Sequence, residues 1–335
     1  MSKIREVRKE RTGWRDKQLD ELLESHGIRL PNSFLVTEYN YGKSVAMIEY
    51  KNIRGSTEGN QAIIQYTKLR QNEEYYFIVL YDYEQNDNLY RITKFIVYPI
   101  NDVAIRDFGD HPIEMSELEY IDFLYKIRKN EQSVYKTKAL EEYQEWFEIH
   151  VQSDPEKEII SHRHRNYAYD VPAADIDCMM VDRFNIPYLF IEYKSVSKSG
   201  SNYFIDKNMN KEAYALAEKS KENLYNKAIA DLGNGCKDPL PVIAVQYDLE
   251  NKLFTLYAFN NQAKEMVTLG NMYEDEYFKY ILEPSNFETF QTCPICGNEL
   301  IKKNGIYGSF IGCSGFKVNK CKYSRKIVYE NKKSA

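Results

Sequence analysis

The sequence lacks any hydrophobic run long enough to cross a bilayer, which needs about 18 or more apolar residues. Its first ten residues are rich in charge and hold no apolar core segment, so no secretory signal is predicted. Tryptophan and cysteine are scarce, with two and six among 335 residues, whereas 43% of residues are hydrophobic and 28% charged. These features predict a cytoplasmic globular protein of two or three domains without membrane contacts.

An overall excess of positive charge is also missing, because the formal net charge is −5. The charge is unevenly distributed, however. Residues 293–335 contain nine Lys and Arg against two acids, a local charge of +7 that leaves −12 for the rest. Because local sign asymmetry decides where anions bind, contact with nucleic-acid phosphates is predicted at the C-terminus.

Four of the six cysteines follow the spacing C-x₂-C-x₁₆-C-x₇-C, formed by Cys293, Cys296, Cys313 and Cys321. Two pairs of thiolates brought together by hairpins suit tetrahedral Zn²⁺. Two disulfides are the alternative, which the absence of a secretion signal disfavours. A structural zinc site is therefore predicted.

The glycine and aromatic residues between these cysteines resemble the C-terminal zinc ribbon of bacterial type IA topoisomerases. The resemblance implies binding of single-stranded DNA, with aromatic rings stacking on bases and cations following the backbone. The residues expected to do so are Lys302, Lys303, Tyr307, Phe310, Lys320, Lys322, Tyr323, Arg325 and Lys326. Ribbons that only stabilise a fold or bind protein are the alternative.

A second motif lies between Asp175 and Lys194, where two apolar runs flank a polar turn and predict a β-hairpin. Glu192 and Lys194 fall on one face of the second strand, and Asp177 opens the first strand close to Glu192. Clustered carboxylates in an apolar setting favour a cation. Asp177, Glu192 and the carbonyl of Tyr193 would offer oxygens to Mg²⁺, and Lys194 would lie beside the attacking water.

These residues resemble the PD-(D/E)XK nuclease superfamily, with Asp177 as the first acid and residues 192–194 as the E-x-K. The resemblance implies an Mg²⁺- or Mn²⁺-dependent phosphodiesterase on a restriction-endonuclease-like mixed sheet. In that family a further acid often joins the metal site. The candidates for this accessory role are Asp175, Glu142, Glu145 and Glu158.

Two arginines just before the acidic strand, Arg163 and Arg165, are candidates for phosphate contact because a guanidinium binds phosphate through two hydrogen bonds. Cations at a helix C-terminus are the alternative interpretation.

The Ile-Glu-Tyr-Lys of residues 191–194 also occurs at residues 48–51, and hairpin, helix and two further strands recur in the same order around both. This pattern predicts a tandem duplication. The first copy has no acid at the position of Asp177 and is predicted to be degenerate. The expected α/β fold is two restriction-endonuclease-like mixed-sheet domains in tandem plus a small zinc ribbon, divided as 1–108, 109–139 (helical connector), 140–290 and 291–335.

The predicted function is a metal-dependent DNA endonuclease anchored by its ribbon on single- or double-stranded DNA, resembling restriction, repair or phage-defence enzymes. A catalytically inactive nucleic-acid-binding protein and an RNA-cleaving nuclease are the alternatives.

Overall fold

The computed structural model describes residues 17–28, 34–40, 43–70, 74–129, 136–137, 140, 147–148, 155–168, 173–175, 177–195, 240–260, 265–287, 292–306 and 308–326. The helices that matter for the site are α1 (Lys17–Ser25), α2 (Gln61–Leu69), α3 (Asp102–Phe108), α4 (Glu117–Ile127), α5 (Pro155–Ala168), α6 (Glu274–Ile281) and α7 (Phe316–Asn319). No helix in the described ranges has the length and apolar character needed to cross a membrane.

The first sheet has mixed strand directions and the order β5-β4-β3-β2-β1-β7, with β6 pairing to β4. Its strands are β1 (Phe34–Asn40), β2 (Lys43–Asn52), β3 (Tyr75–Asn86), β4 (Leu89–Pro99), β5 (Ile113–Met115), β6 (Phe147–Glu148) and β7 (Ala173–Asp175). Two antiparallel hairpins, β1–β2 and β3–β4, are joined by parallel pairing of β2 with β3.

The second sheet repeats this arrangement, in the order β12-β11-β10-β9-β8. Its strands are β8 (Cys178–Val181), β9 (Pro187–Ser195), β10 (Val242–Asp248), β11 (Leu253–Asn260) and β12 (Glu265–Tyr273). The hairpins β8–β9 and β10–β11 are again joined through a parallel pair, β9 with β10. The prediction of mixed α/β sheets built from hairpins is confirmed, while their relation to restriction endonucleases stays a prediction.

Short-range signals in the sequence explain where several helices begin and end. Asn60 caps α2 by accepting a hydrogen bond from the N–H of Ala62, and Ser116 and Glu119 form a capping box at the start of α4. Helix α1 is followed by Gly27, whose φ of 78° lies in the left-handed region that favours glycine.

The two sheets exchange their leading helices. Helix α1 precedes the first sheet in sequence, yet Leu19 and Leu23 pack in the core of the second sheet, and the His26 ring stacks on Phe278 of α6 at 3.6 Å. Helix α5 precedes the second sheet, yet Ile159 and Ile160 pack in the core of the first. Each sheet is thus covered by a helix from the other half of the sequence.

Buried ion pairs fix α5 on the first sheet. The carboxylate of Glu38 in β1 accepts hydrogen bonds from Nε of Arg128 at 2.6 Å and lies 2.5 Å from Nε2 of His164. Burial raises the pKa of Glu38, but the positive charges and hydrogen bonds of Arg128 and His164 outweigh this effect and lower the pKa to about 2. Arg163 pairs in the same way with Glu117 of α4 at 2.9 Å.

The predicted boundaries near residues 108 and 140 stay a prediction, although α1 and the helix Pro155–Ala168 each pack in a core formed mainly by the other half of the sequence. Strand β7 also belongs to the first sheet, where it pairs with β1. Between the two halves, Phe147–Glu148 is a strand that pairs with β4 of the first sheet.

A third apolar cluster joins the other faces of both sheets to the C-terminal module. In it, Tyr66 of α2 packs edge-on against Phe190 of β9, with ring centroids 5.1 Å apart. The cluster also includes Met47 of β2, Cys293 and Tyr323. The C-terminal module is consequently docked on the two sheets.

Candidate metal centre and nucleic-acid interface

The four predicted zinc ligands come together at one point. The Sγ atoms of Cys293, Cys296, Cys313 and Cys321 all lie within 4.8 Å of one another, with Cys293 to Cys321 at 3.6 Å and Cys296 to Cys313 at 3.3 Å. Four sulfurs around one zinc would be about 3.8 Å apart, because each Zn–S bond is about 2.3 Å. Of the described residues, these form the only group of three or more His, Cys, Asp and Glu placed to hold one ion.

Hydrogen bonds to the sulfurs orient these ligands. The amide of Asn298 donates to Sγ of Cys296 at 3.4 Å, and the N–H of Gly315 donates to Sγ of Cys313 at 3.2 Å. Burial raises the pKa of Cys296, but hydrogen bonds from Asn298 and from the thiols of Cys313 and Cys321 outweigh this effect and lower the pKa to about 6. Such donors favour the thiolate form that binds a metal.

The cysteines are held by a three-stranded sheet of β13 (Leu300–Gly305), β14 (Gly308–Cys313) and β15 (Ser324–Lys326). Phe310 lies on one face of this sheet, half-buried, against two glycines. A Cβ on Gly305 would come within 3.2 Å of the Phe310 ring, and one on Gly312 within 2.9 Å. Glycine at both positions therefore lets this ring lie close to the sheet.

Lys303 shares this face, because it pairs across the strands with Phe310. Its ammonium donates to the carbonyl of Cys313 at 2.5 Å and lies 5.7 Å from the ring centre of Phe316. Phe316 begins α7 and is 55% exposed. The face that carries Phe310, Lys303 and the neighbouring Phe316 is called the aromatic face below.

Three of the remaining predicted contacts are exposed lysines, Lys302, Lys320 and Lys322, as phosphate contact requires. Tyr307 lies outside the described residues. The prediction for Tyr323 is wrong, because this side chain is 1% exposed and packs against Phe184 with ring centroids 5.4 Å apart. It anchors the module to the second sheet and does not face solvent.

Phe316 was missed by the sequence reasoning. It follows Cys313 in a Ser-Gly-Phe stretch, where no periodicity separates a buried ring from an exposed one.

The arginines before the acidic strand do not form the predicted phosphate site. Arg163 is 2% exposed, and its guanidinium is used in the ion pair with Glu117. A buried, paired guanidinium is inaccessible to a phosphate, so that prediction is corrected. The side chain of Arg165 lies outside the described part of the structure.

Asp177 immediately precedes β8, and Glu192 lies in its partner strand β9. Cys178 pairs with Ile191, so the register carried one residue further sets Asp177 opposite Glu192, on the same face of the sheet. Oδ2 of Asp177 accepts the N–H of Tyr193 at 2.8 Å, which ties this carboxylate to the E-x-K strand. Glu192 is 4% exposed, while Asp177 is half-buried.

The other predicted members of this site are placed less favourably. Lys194 lies in β9 two residues beyond Glu192, and its side chain is outside the described part. Asp175 belongs to β7 of the first sheet, opposite Val36. Glu158 is carried by α5, whose Ile159 and Ile160 pack in the core of the first sheet, and its own side chain is outside the described part. Glu142 and Glu145 lie outside the described residues.

The matching position in the first sheet has no second acid. Leu35 pairs with Glu49, and the continued register of β8 and β9 makes Leu35 the counterpart of Asp177. The Glu49 carboxylate accepts from the hydroxyl of Tyr76 at 2.6 Å and lies 3.4 Å from Nζ of Lys51. That ammonium also donates to the carbonyl of Ser56 at 3.0 Å. The E-x-K of the first sheet is thus engaged in internal contacts.

The C-terminal module touches the turn at the opposite end of the β8–β9 hairpin. Nη2 of Arg183 donates to Oγ of Ser324 at 2.6 Å and to its carbonyl at 3.3 Å. Asp182 shapes the turn by accepting the N–H groups of Phe184 and Ile186 at 2.7 and 3.0 Å. One hairpin therefore connects the carboxylates with the module.

Comparison with known proteins finds similarity in this module. Residues 290–330 match the family described as "Topoisomerase DNA binding C4 zinc finger". DNA topoisomerase 1 of Helicobacter pylori is 48% identical over 44 residues, which are 13% of this chain and 6% of that protein. DNA topoisomerase 1 of Methanocaldococcus jannaschii is 50% identical over 40 residues, 12% of this chain and 5% of that protein.

The chain thus spans only a small fraction of the length of these relatives. No solved structure matches it significantly. The match to the zinc-finger family agrees with the four converging cysteines, and residues 290–330 are a C4 zinc ribbon of the topoisomerase type.

Proposed function

We propose that the protein binds DNA, preferably single-stranded, through the aromatic face of its zinc ribbon. The carrying observation is Phe316, an aromatic ring left 55% exposed beside the ammonium of Lys303. Exposed rings next to cations are how proteins hold single strands, with each base stack contributing about 1–3 kcal/mol and lysines following the phosphates. The names of the similar topoisomerases support DNA as the ligand.

Fluorescence anisotropy with a labelled single-stranded oligonucleotide tests this proposal. Phe316→Ala should weaken binding roughly 5- to 150-fold, the equivalent of one lost stack. Val318→Ala is the matched control, because Val318 is 89% exposed on the same short helix but has no ring. Equal affinities for wild type and Phe316→Ala would contradict the stacking role.

Salt dependence provides a second readout. Lys302→Ala should reduce the slope of log K against log salt by about 0.7, the contribution of one phosphate of a single strand. Lys279→Ala, an exposed lysine on α6, should leave the slope unchanged. Duplex DNA and RNA of the same sequence, measured in parallel, separate the alternative ligands.

A second proposed function is metal-dependent hydrolysis of phosphodiester bonds at Asp177 and Glu192. The hydrogen bond from the N–H of Tyr193 to Asp177, at 2.8 Å, favours it, as does the register of β8 with β9, which would set Asp177 opposite Glu192 if it continues one residue beyond Cys178 and Ile191. Two carboxylates with one backbone carbonyl suit a hard divalent cation such as Mg²⁺ or Mn²⁺. When bound, such an ion activates water and polarises a phosphate.

In this proposal each residue has a distinct task. Glu192, 4% exposed, offers its carboxylate from a low-dielectric setting, and Asp177 offers the more accessible one. Lys194 follows at the same-face position of β9 and would offset negative charge that develops on the phosphate.

Plasmid nicking tests the nuclease proposal. Protein dialysed free of added divalent ions should nick plasmid when Mg²⁺ is supplied, and addition is preferable to chelation because a chelator would also withdraw zinc. Asp177→Asn with Lys194→Ala should remove the nicking, while Glu49→Gln in the first sheet should not. Absence of cleavage by wild type on DNA and RNA, with binding intact, would favour a catalytically inactive binding protein.

A further inference from the structure

The β8–β9 turn places one guanidinium at the edge of the ribbon. Arg183 is exposed, and its Nη2 is held by Oγ and the carbonyl of Ser324. Ser324 pairs with Gly312, the residue over which the Phe310 ring lies. Arg183, from a different part of the chain, is thus next to the aromatic face.

The guanidinium is preorganised and has donors to spare. Its carbon lies 4.9 Å from the ring centre of Phe184, which in turn packs on the buried Tyr323. Among the described residues, Nε and Nη1 have no hydrogen-bond partner. The nearest acid in sequence, Asp182, directs its Oδ1 to two N–H groups of the turn and so offsets the charge of Arg183 only from a distance.

We propose that Arg183 binds a backbone phosphate of the nucleic acid held by the ribbon, so that the binding surface is built from the ribbon and the β8–β9 turn together. This inference rests on the proposed DNA binding. A guanidinium fixed on one side by Ser324 loses little freedom when its other edge donates to a phosphate. The strand would then leave the ribbon over the hairpin that carries Asp177 and Glu192 at its far end.

The test measures the binding of a labelled single-stranded oligonucleotide to the full chain over a range of salt concentrations. Arg183→Ala should lower the slope of log K against log salt by about 0.7 and weaken binding about fivefold at 0.1 M salt, because one fewer phosphate is neutralised. Arg183→Gln, which keeps hydrogen-bond donors but no charge, should give the same change in slope. Circular dichroism and zinc content verify that each variant is folded.

Two matched variants separate phosphate binding from a purely structural contact. Ser324→Ala removes the hydroxyl that holds Arg183 but leaves the charge, so the slope should stay at the wild-type value. Arg106→Ala removes an exposed arginine of α3 that is already paired with Asp107, at 2.8 Å, and should change neither slope nor affinity.

The outcomes are distinct. A wild-type slope in Arg183→Ala and Arg183→Gln would overturn the inference while leaving DNA binding by the ribbon intact. A loss of affinity with unchanged slope, equal in Arg183→Ala and Ser324→Ala, would identify a docking contact alone and would also overturn it. Failure of the wild type to bind DNA at all would instead refute the proposed function.

Discussion

Replacing Glu38 with glutamine is expected to destabilise the protein by about 3 kcal/mol at neutral pH. The Glu38 carboxylate is 0% exposed and contacts Arg128, also 0% exposed, and His164. Glutamine keeps the shape but leaves the Arg128 guanidinium buried without its counter-charge, a change that costs about 3–5 kcal/mol. The same size follows from the pKa, which is lowered from 4.5 to about 2 on folding, at about 1.4 kcal/mol per unit.

The sign of the pH dependence is fixed by the direction of that shift. A carboxyl whose pKa is lower in the folded state stabilises the protein above the unfolded value of 4.5, and this stabilisation is lost as the pH falls towards 2. The difference in free energy of unfolding between wild type and Glu38→Gln should therefore be largest at neutral pH and shrink below pH 4.5.

Urea unfolding followed by far-ultraviolet circular dichroism, repeated over a pH series, measures this difference. Glu114→Gln is the control. The Glu114 side chain is 67% exposed, and its carboxylate lies as far as 3.9 Å from Nζ of Lys94, so a change below about 0.5 kcal/mol is expected. A Glu38→Gln protein within about 1 kcal/mol of wild type at neutral pH, or a difference independent of pH, would refute the reasoning.

Three other predictions concern the exchange of helices, the zinc ribbon and the catalytic centre. Leu23→Ala in α1 should lower the free energy of unfolding by about 2–5 kcal/mol, and amide hydrogen exchange should accelerate more in β8–β11 than in β1–β4. The reverse pattern would contradict the packing of α1 on the second sheet. Cys321→Ser should lower the zinc content and abolish DNA binding by the ribbon, as measured by atomic absorption and anisotropy, and retained affinity would count against the ribbon as the binding element. If Asp177 and Glu192 form the only active centre, a monomer should nick plasmid without linearising it, which gel analysis at high protein dilution measures. Linear product formed under those conditions would contradict this prediction.

The sequence was most informative where the chain makes local contacts. The two hairpins of each sheet follow from apolar runs that flank turns, and the metal centre follows from cysteine spacing, because both depend on residues near one another in sequence. The β8–β9 hairpin belongs to this class, since a short turn fixes its register, while the pairing of Asp177 with Glu192 stays a prediction.

Contacts between distant segments were not predictable in this way. The apolar positions Leu19 and Leu23 reveal that one face of α1 is buried, but periodicity does not identify the sheet that buries it. The ion pair that buries Arg163 was not predictable, because its partner Glu117 is 46 residues away in the sequence. Tyr323 did carry a usable signal, since it lies two residues after the buried Cys321, and a period of two in an extended segment predicts a shared face.

The exchange of α1 and α5 offers a reason why the first half of the chain, which has no acid at the position of Asp177, would be retained. If both halves descend from one ancestral unit, a single copy would leave a sheet uncovered, and two chains trading their first helices would form a homodimer that solves the problem. Joining the copies in one polypeptide would make that exchange intramolecular. The first half could then lose catalytic residues but could not be deleted, because its helix α1 covers the core of the second sheet.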